Sequence, residues 1–153
     1  MSDPEPEIEP RKGAGKIPAA AAAVALVGLA DSVYLTVHHL TAEPVPCSLI
    51  SGCETVLTSP YAEMFGVPLA AYGAAAYFVA FSLALLTAFG NRGMWKVFGA
   101  LTVIMACFTG WLFYLQAAVI GAFCQFCLLS ALTSITLLVL FIISLLTGRK
   151  SRV

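Results

Sequence analysis

Four cysteines in two close pairs carry most of the chemistry this chain could do: Cys47 and Cys53 in CSLISGC, and Cys124 and Cys127 in FCQFC. A fifth, Cys107, stands alone. Three kinds of chemistry suit such a set. The cysteines could form structural disulfides, hold a zinc ion, or relay electrons by thiol–disulfide exchange. A staple gains little from Cys-x-x-Cys, because closing so short a loop constrains little chain. Zinc requires four ligands in a tetrahedron, and the five residues between Cys47 and Cys53 exceed the usual two to four. A relay fits best, since a thiolate near a helix N-terminus is stabilised and is the attacking species.

The elements that must position these residues are membrane spans. Of 153 residues, 60% are hydrophobic and 10% charged, well away from the balance of a soluble domain. Four stretches, at about 17–40, 67–89, 97–120 and 124–147, are each long enough to cross the hydrocarbon core. This predicts an all-α membrane protein: a four-transmembrane-helix bundle (17–147) with an extracytoplasmic loop between the first two helices. Residues 1–16, rich in Pro and Glu, read as a disordered cytoplasmic tail, and 148–153 as a second one. The first apolar run is longer than the core of a signal peptide, so it is expected to remain as a span.

Charge sets the orientation. The eight basic residues are Arg11, Lys12, Lys16, Arg92, Lys96, Arg149, Lys150 and Arg152. They lie before the first span, between the second and third, and after the fourth. The loop 41–66 holds no Lys or Arg, only Glu43, Glu54 and Glu63. Both termini are therefore expected in the cytoplasm and the long loop outside, in a plasma or inner membrane. Cys47, Cys53, Cys124 and Cys127 then converge on the extracytoplasmic, oxidising side. Gly121 breaks the chain just before the second pair, which puts Cys124 at or near an N-cap and Cys127 one turn further on the same face. Cys107, in mid-span, reads as a buried packing residue. No dinucleotide fingerprint is present, so an electron acceptor would be a lipid-soluble carrier held between helices.

Three further stretches extend the pattern: DSVYLTVHH in the first span, CSLISGCETVLTSPYAEMFGVPLAAYGAAAY through the loop and second span, and YLQAAVIGAFCQFCLLSA across the third and fourth. Over 31–131 the chain resembles the vitamin K epoxide reductase family, in its bacterial quinone-linked, disulfide-forming branch. The resemblance implies a quinone-dependent protein-disulfide-forming oxidoreductase built as a bundle around a quinone of the menaquinone, ubiquinone or phylloquinone type. It implies that Cys127 faces the quinone and that Cys124 exchanges with a loop cysteine. Cys47 and Cys53 would accept electrons from a thioredoxin-like or DsbA-like extracytoplasmic protein. Ser59 matches a serine kept near the family's site. Ala131 stands where animal members carry a ring-binding tyrosine, which favours plain quinone reduction over epoxide reduction. Many bacterial members carry a fused thioredoxin-like domain after the fourth helix. The sequence here ends at GRKSRV, so the partner is expected to be a separate protein.

Other residues have simpler readings. Asp31, the acid inside the first span, is expected to form a structural hydrogen bond through Ser32 or Tyr34, with proton movement as the alternative. His38 and His39 read as interfacial. Gly66 and Pro68 should turn the chain into the second span, and Gly73 and Ala76 should let helices approach closely. Trp95 and Trp111 read as belt or core residues, and Tyr72, Tyr77 and Tyr114 as core rather than pocket. The rival function is a small membrane transporter or scaffold whose cysteines are structural disulfides or a zinc site.

Overall fold

Helix α1 (Lys16–Thr41) follows directly from its composition, an Ala-rich run with its only proline, Pro18, in the first turn, where a missing N–H costs nothing. The computed structural model describes residues 15–150, with side chains through residue 148. The expected tails at 1–16 and 148–153 lie outside this range, apart from Gly15, Lys16 and 148–150; Lys16 opens α1, and the fourth long helix runs through 148–150. Arg11, Lys12 and Arg152 lie outside the described residues. α1 stops where Ala42 turns left-handed at φ 52° and its N–H bonds back to the carbonyls of His38 and His39.

The outer loop is more ordered than its composition predicts. It holds a short helix, α2 (Cys53–Leu57), and a two-stranded hairpin, β1 (Glu63–Met64) and β2 (Val67–Pro68). Glu63 pairs with Pro68 and Met64 with Val67. Phe65 and Gly66 form the tip, both at positive φ (55° and 77°). That is the type I′ geometry that matches strand twist. Gly66 was expected to turn the chain; Phe65 is strained beside it and almost fully exposed.

Pro68 leads into α3 (Leu69–Ala88), and a short turn joins it to α4 (Met94–Tyr114). A π-helical segment (Leu115–Ile120) extends α4, Gly121 reverses the chain at φ 69°, and α5 (Gln125–Lys150) completes the bundle. Four helices are long and apolar enough to cross a membrane: Lys16–Thr41, Leu69–Ala88, Met94–Ile120 and Gln125–Gly148. Their bounds differ from the sequence estimate by up to three residues. The bundle runs up and down, so Lys16 shares one end with Arg92 and Lys96, while the four paired cysteines sit at the other.

Small residues let the helices pack. α1 packs most heavily on α3. Ala21, Ala25, Ala80 and Ala84 are completely buried, and the Tyr77 ring fills the space that a side chain at Gly28 would occupy. Gly73 faces the Ser32 hydroxyl, which a Cβ there would approach to 3.2 Å. Between α4 and α5, the ring of Phe141 lies directly over Gly99. Trp95 stacks on Phe98 at 4.5 Å and donates its indole N–H to Ser144 Oγ at 3.0 Å. Apolar side chains also cover the outside, Leu132, Ile104 and Leu146 among them, as suits a bundle surrounded by lipid. Cys107 belongs to that outer surface. The expectation that it packs inside is wrong, because it lies on the side of α4 opposite buried Met105 and faces away from the other helices.

A leucine at Gly28 or Gly99 has no room without displacing Tyr77 or Phe141. We expect Gly99→Leu to destabilise the bundle by about 1–3 kcal/mol, read as a lowered thermal midpoint in detergent. An unchanged midpoint would contradict the packing described.

Candidate active site

The site is built by one close backbone approach. A Cβ on Gly52 would lie 2.5 Å from the Phe123 carbonyl oxygen and 2.9 Å from its nitrogen. Only glycine lets the outer loop come so near to the segment that leads into α5. Side chains hold the approach on both flanks. Gln125 Oε1 accepts the Leu49 backbone N–H at 3.0 Å, and His39 Nε2 meets Glu63 Oε1 at 2.8 Å, tying α1 to the hairpin.

The result brings all four paired cysteines into one cluster. Cys53 and Cys124 are buried together with Val56, and Cys47, Cys127, Ile120 and Phe126 pack against them. Cys47 and Cys53 form a disulfide with Cα atoms 6.2 Å apart. Cys124 and Cys127 are free thiols, Cys124 fully buried and Cys127 partly so. Among the described residues no three His, Cys, Asp or Glu side chains converge as metal ligands would.

Cys124 immediately precedes α5, and its carbonyl accepts the N–H of Leu128 at 3.0 Å, the first bond of the helix. It is therefore the N-cap residue. Its thiol is lowered to about 7. The main cause is a hydrogen bond from the Cys127 thiol; the backbone N–H groups of Cys127 and Phe126, in the first turn, add to it, while burial opposes it. At neutral pH a substantial fraction of reduced Cys124 is thus thiolate, the nucleophilic form.

Gln116 was not singled out in the sequence. It is buried in the π-helical segment, and its Oε1 accepts the Cys124 backbone N–H at 3.1 Å. That N–H has no partner inside the helix. An insertion of this type in a helix is common at functional sites, but a single glutamine in an apolar run carries no spacing signal.

Below the cysteines lies an apolar cavity of about 370 Å³, walled by all four long helices and roofed by the outer loop. Cys127, Ser59 and Ala131 are in its wall; Cys124 is not. Ser59 Oγ donates to the Val56 carbonyl at 2.7 Å, which fixes the roof after α2. Tyr72 and Tyr77 line the cavity, contrary to the expectation that they only pack, whereas Tyr114 is largely exposed. The Tyr77 hydroxyl donates to the Ser130 carbonyl at 2.6 Å and lies 2.7 Å from Thr133 Oγ1. A tyrosine from α3 thus reaches the turn of α5 that carries Ala131. Ser134, also in the wall, is buried with its hydroxyl unpartnered among the described residues. Asp31 is 7% exposed, and neither carboxyl oxygen has a hydrogen-bond partner among the described residues. The bond expected through Ser32 or Tyr34 is not formed. His38 also differs from a simple interfacial residue, since its Nδ1 is buried and unpartnered.

Two measurements check this geometry. Gln116→Leu should cost about 1–3 kcal/mol by stranding the Cys124 N–H, seen as a lower thermal midpoint; no change would contradict the bond. In the reduced protein, thiolate absorbance should appear with a midpoint near pH 7, and Cys127→Ala should move it upward by removing the largest stabilising contact. A midpoint at the ordinary thiol value in the unaltered protein would contradict the assignment.

The sequence model of the vitamin K epoxide reductase family matches residues 19–142. The chain is also similar to the thiol-disulfide oxidoreductase LTO1 of Arabidopsis thaliana, with 32% identity over 107 residues. That alignment covers 64% of this chain and 28% of the relative, so the chain corresponds to little more than a quarter of that protein. With a match that spans every long helix and both cysteine pairs, this protein is a member of the vitamin K epoxide reductase family.

Proposed function

We propose that the protein is a membrane thiol oxidoreductase that takes electrons from an extracytoplasmic, thioredoxin-like protein and passes them to a quinone, so supporting disulfide formation. One observation carries the reading. Of two thiols in hydrogen-bond contact, Cys127 opens on the apolar cavity, and Cys124 lies in the cluster with Cys53.

The division of labour follows from burial. Cys47 is the more open member of the loop disulfide and Cys53 the buried one. A partner thiolate attacks at Cys47, which releases Cys53 as the thiolate that faces Cys124. Cys53 then exchanges with the Cys124–Cys127 disulfide. Attack at the Cys124 sulfur forms a Cys53–Cys124 bond and releases the Cys127 thiolate; when Cys47 then re-forms its bond to Cys53, Cys124 departs as a thiolate that its helix N-terminus and Cys127 stabilise. The Cys127 thiol, held in the cavity wall, is the group that faces an acceptor.

The cavity suits a quinone on observations independent of the cysteines. It falls in the size range of small-molecule sites. Its lining is largely apolar, with the unpartnered Ser134 hydroxyl as a free polar contact. Ser59, Ala131, Ser134 and Cys127 would hold the ring. A quinone bound there supplies a two-electron, two-proton acceptor. The Ala131 side chain itself has no hydroxyl to offer the ring, and this supports simple quinone reduction over epoxide chemistry. The charge pattern supports placing the cysteine end outside the cell membrane and both termini in the cytoplasm.

With purified protein, a reduced thioredoxin-like protein and menadione, we expect quinone reduction that falls to background in Cys124→Ser and in Cys127→Ser. Reduction that survives either substitution would overturn the proposal. Replacing Cys47 alone should abolish turnover with the protein substrate, while dithiothreitol, small enough to reach the inner pair, should retain part of its rate.

A further inference from the structure

Asp31 is the least explained group in the bundle. It sits in the middle of α1, almost wholly buried, with both carboxyl oxygens unpartnered among the described residues. An unpaired carboxylate within a membrane span costs several kcal/mol, so the site strongly favours a group that carries a proton or trades one with a neighbour. The next residue, Ser32, and Leu35 one turn on, both line the cavity. This level of α1 lies beside titratable groups of other elements: the Tyr77 ring of α3 packs against Gly28, one turn before Asp31, and the Tyr34 ring, three residues after it, lies 5.3 Å from that of Phe126, the neighbour of Cys127. On α1 itself, Tyr34 and His38 continue the same face outward, their rings 4.3 Å apart.

The inner cysteines are the residues whose chemistry needs a proton partner. Cys124 is completely buried, so a proton released there needs a protein group to receive it. We propose that Asp31 is the proton-exchanging residue of the inner thiol pair: it rests protonated, gives its proton toward the acceptor in the cavity, and regains one as the Cys124–Cys127 dithiol is oxidised. The step balances as follows. Two S–H bonds break and one S–S bond forms, so the pair loses two electrons. The acceptor gains those two electrons and two O–H bonds. One of its protons comes from Asp31, which regains one from the Cys124 thiol and ends the cycle as it began; the other comes from the Cys127 thiol, which is itself in the cavity wall. Asp31 is thus a positioning residue for protons and does not itself line the cavity. The acceptor half of the inference rests on the quinone reading above; the coupling of Asp31 to the cysteines does not.

The test therefore begins without quinone. Infrared difference spectra between the dithiol and disulfide forms of the full chain should show a carboxylic-acid carbonyl change that disappears in Asp31→Asn. With menadione as acceptor and dithiothreitol as reductant, Asp31→Asn should lower kcat by about 10²-fold, the scale of a lost general acid. KM for menadione should stay unchanged, and Asp31→Glu should recover most of the rate. Absence of the carbonyl change, or an Asp31→Asn variant with unaltered kcat, would overturn the inference. If the unaltered protein fails to reduce menadione while the carbonyl change persists, the quinone reading falls and the proton coupling stands. Thiol exchange into the inner pair, followed by alkylation, should be the same in both Asp31 variants; a loss there would assign Asp31 to folding and overturn the inference.

Discussion

The architecture of the site depends on the backbone of Gly52 lying against Phe123. Every other feature of the cysteine cluster follows from that contact. It brings a loop disulfide, anchored 70 residues away in sequence, against the first turn of α5. The contact has no side chain to tune it, so flanking bonds set its register: Gln125 to the Leu49 N–H on one side, His39 to Glu63 on the other. A helix N-terminus then gives Cys124 a polarised environment at the point where the loop arrives.

The bundle divides its polar and apolar tasks by depth. Cys124 and Cys127 are one turn apart in the same cysteine cluster, yet only Cys127 also reaches the wall of an apolar cavity. Their hydrogen bond links the two compartments at a single turn of helix. The packing of α1 on α3 keeps the cavity's polar groups in place, since Tyr77 must cross Gly28 before its hydroxyl can reach Ser130 and Thr133. Roof and floor therefore depend on glycines for the same reason: close approach leaves no room for a Cβ.

Much of this was legible in the sequence, and the reasons differ by feature. Span length and the placement of Lys and Arg are additive signals, and they located four helices and one cysteine-bearing end. The N-cap position of Cys124 was readable because Gly121 breaks the chain just before it. Gly52, Gln116 and the hairpin tip were not readable, since each acts through a tertiary contact with a residue distant in sequence. Cys107 was misplaced for a related reason. An α4 apolar on every side gives no periodicity to say which face is inside. Asp31 stood out as an intramembrane acid, but whether it found a partner depended on side chains from three other elements.

The central claim is that Cys53, and not Cys47, exchanges with Cys124. Mapping disulfides by mass spectrometry in a Cys127→Ser variant, after alkylation of free thiols, tests it directly, because Cys127 can then no longer release a mixed disulfide at Cys124. The account predicts a Cys53–Cys124 bridge with Cys47 left as a free thiol. A Cys47–Cys124 bridge, or a Cys47–Cys53 bond that never rearranges, would contradict it.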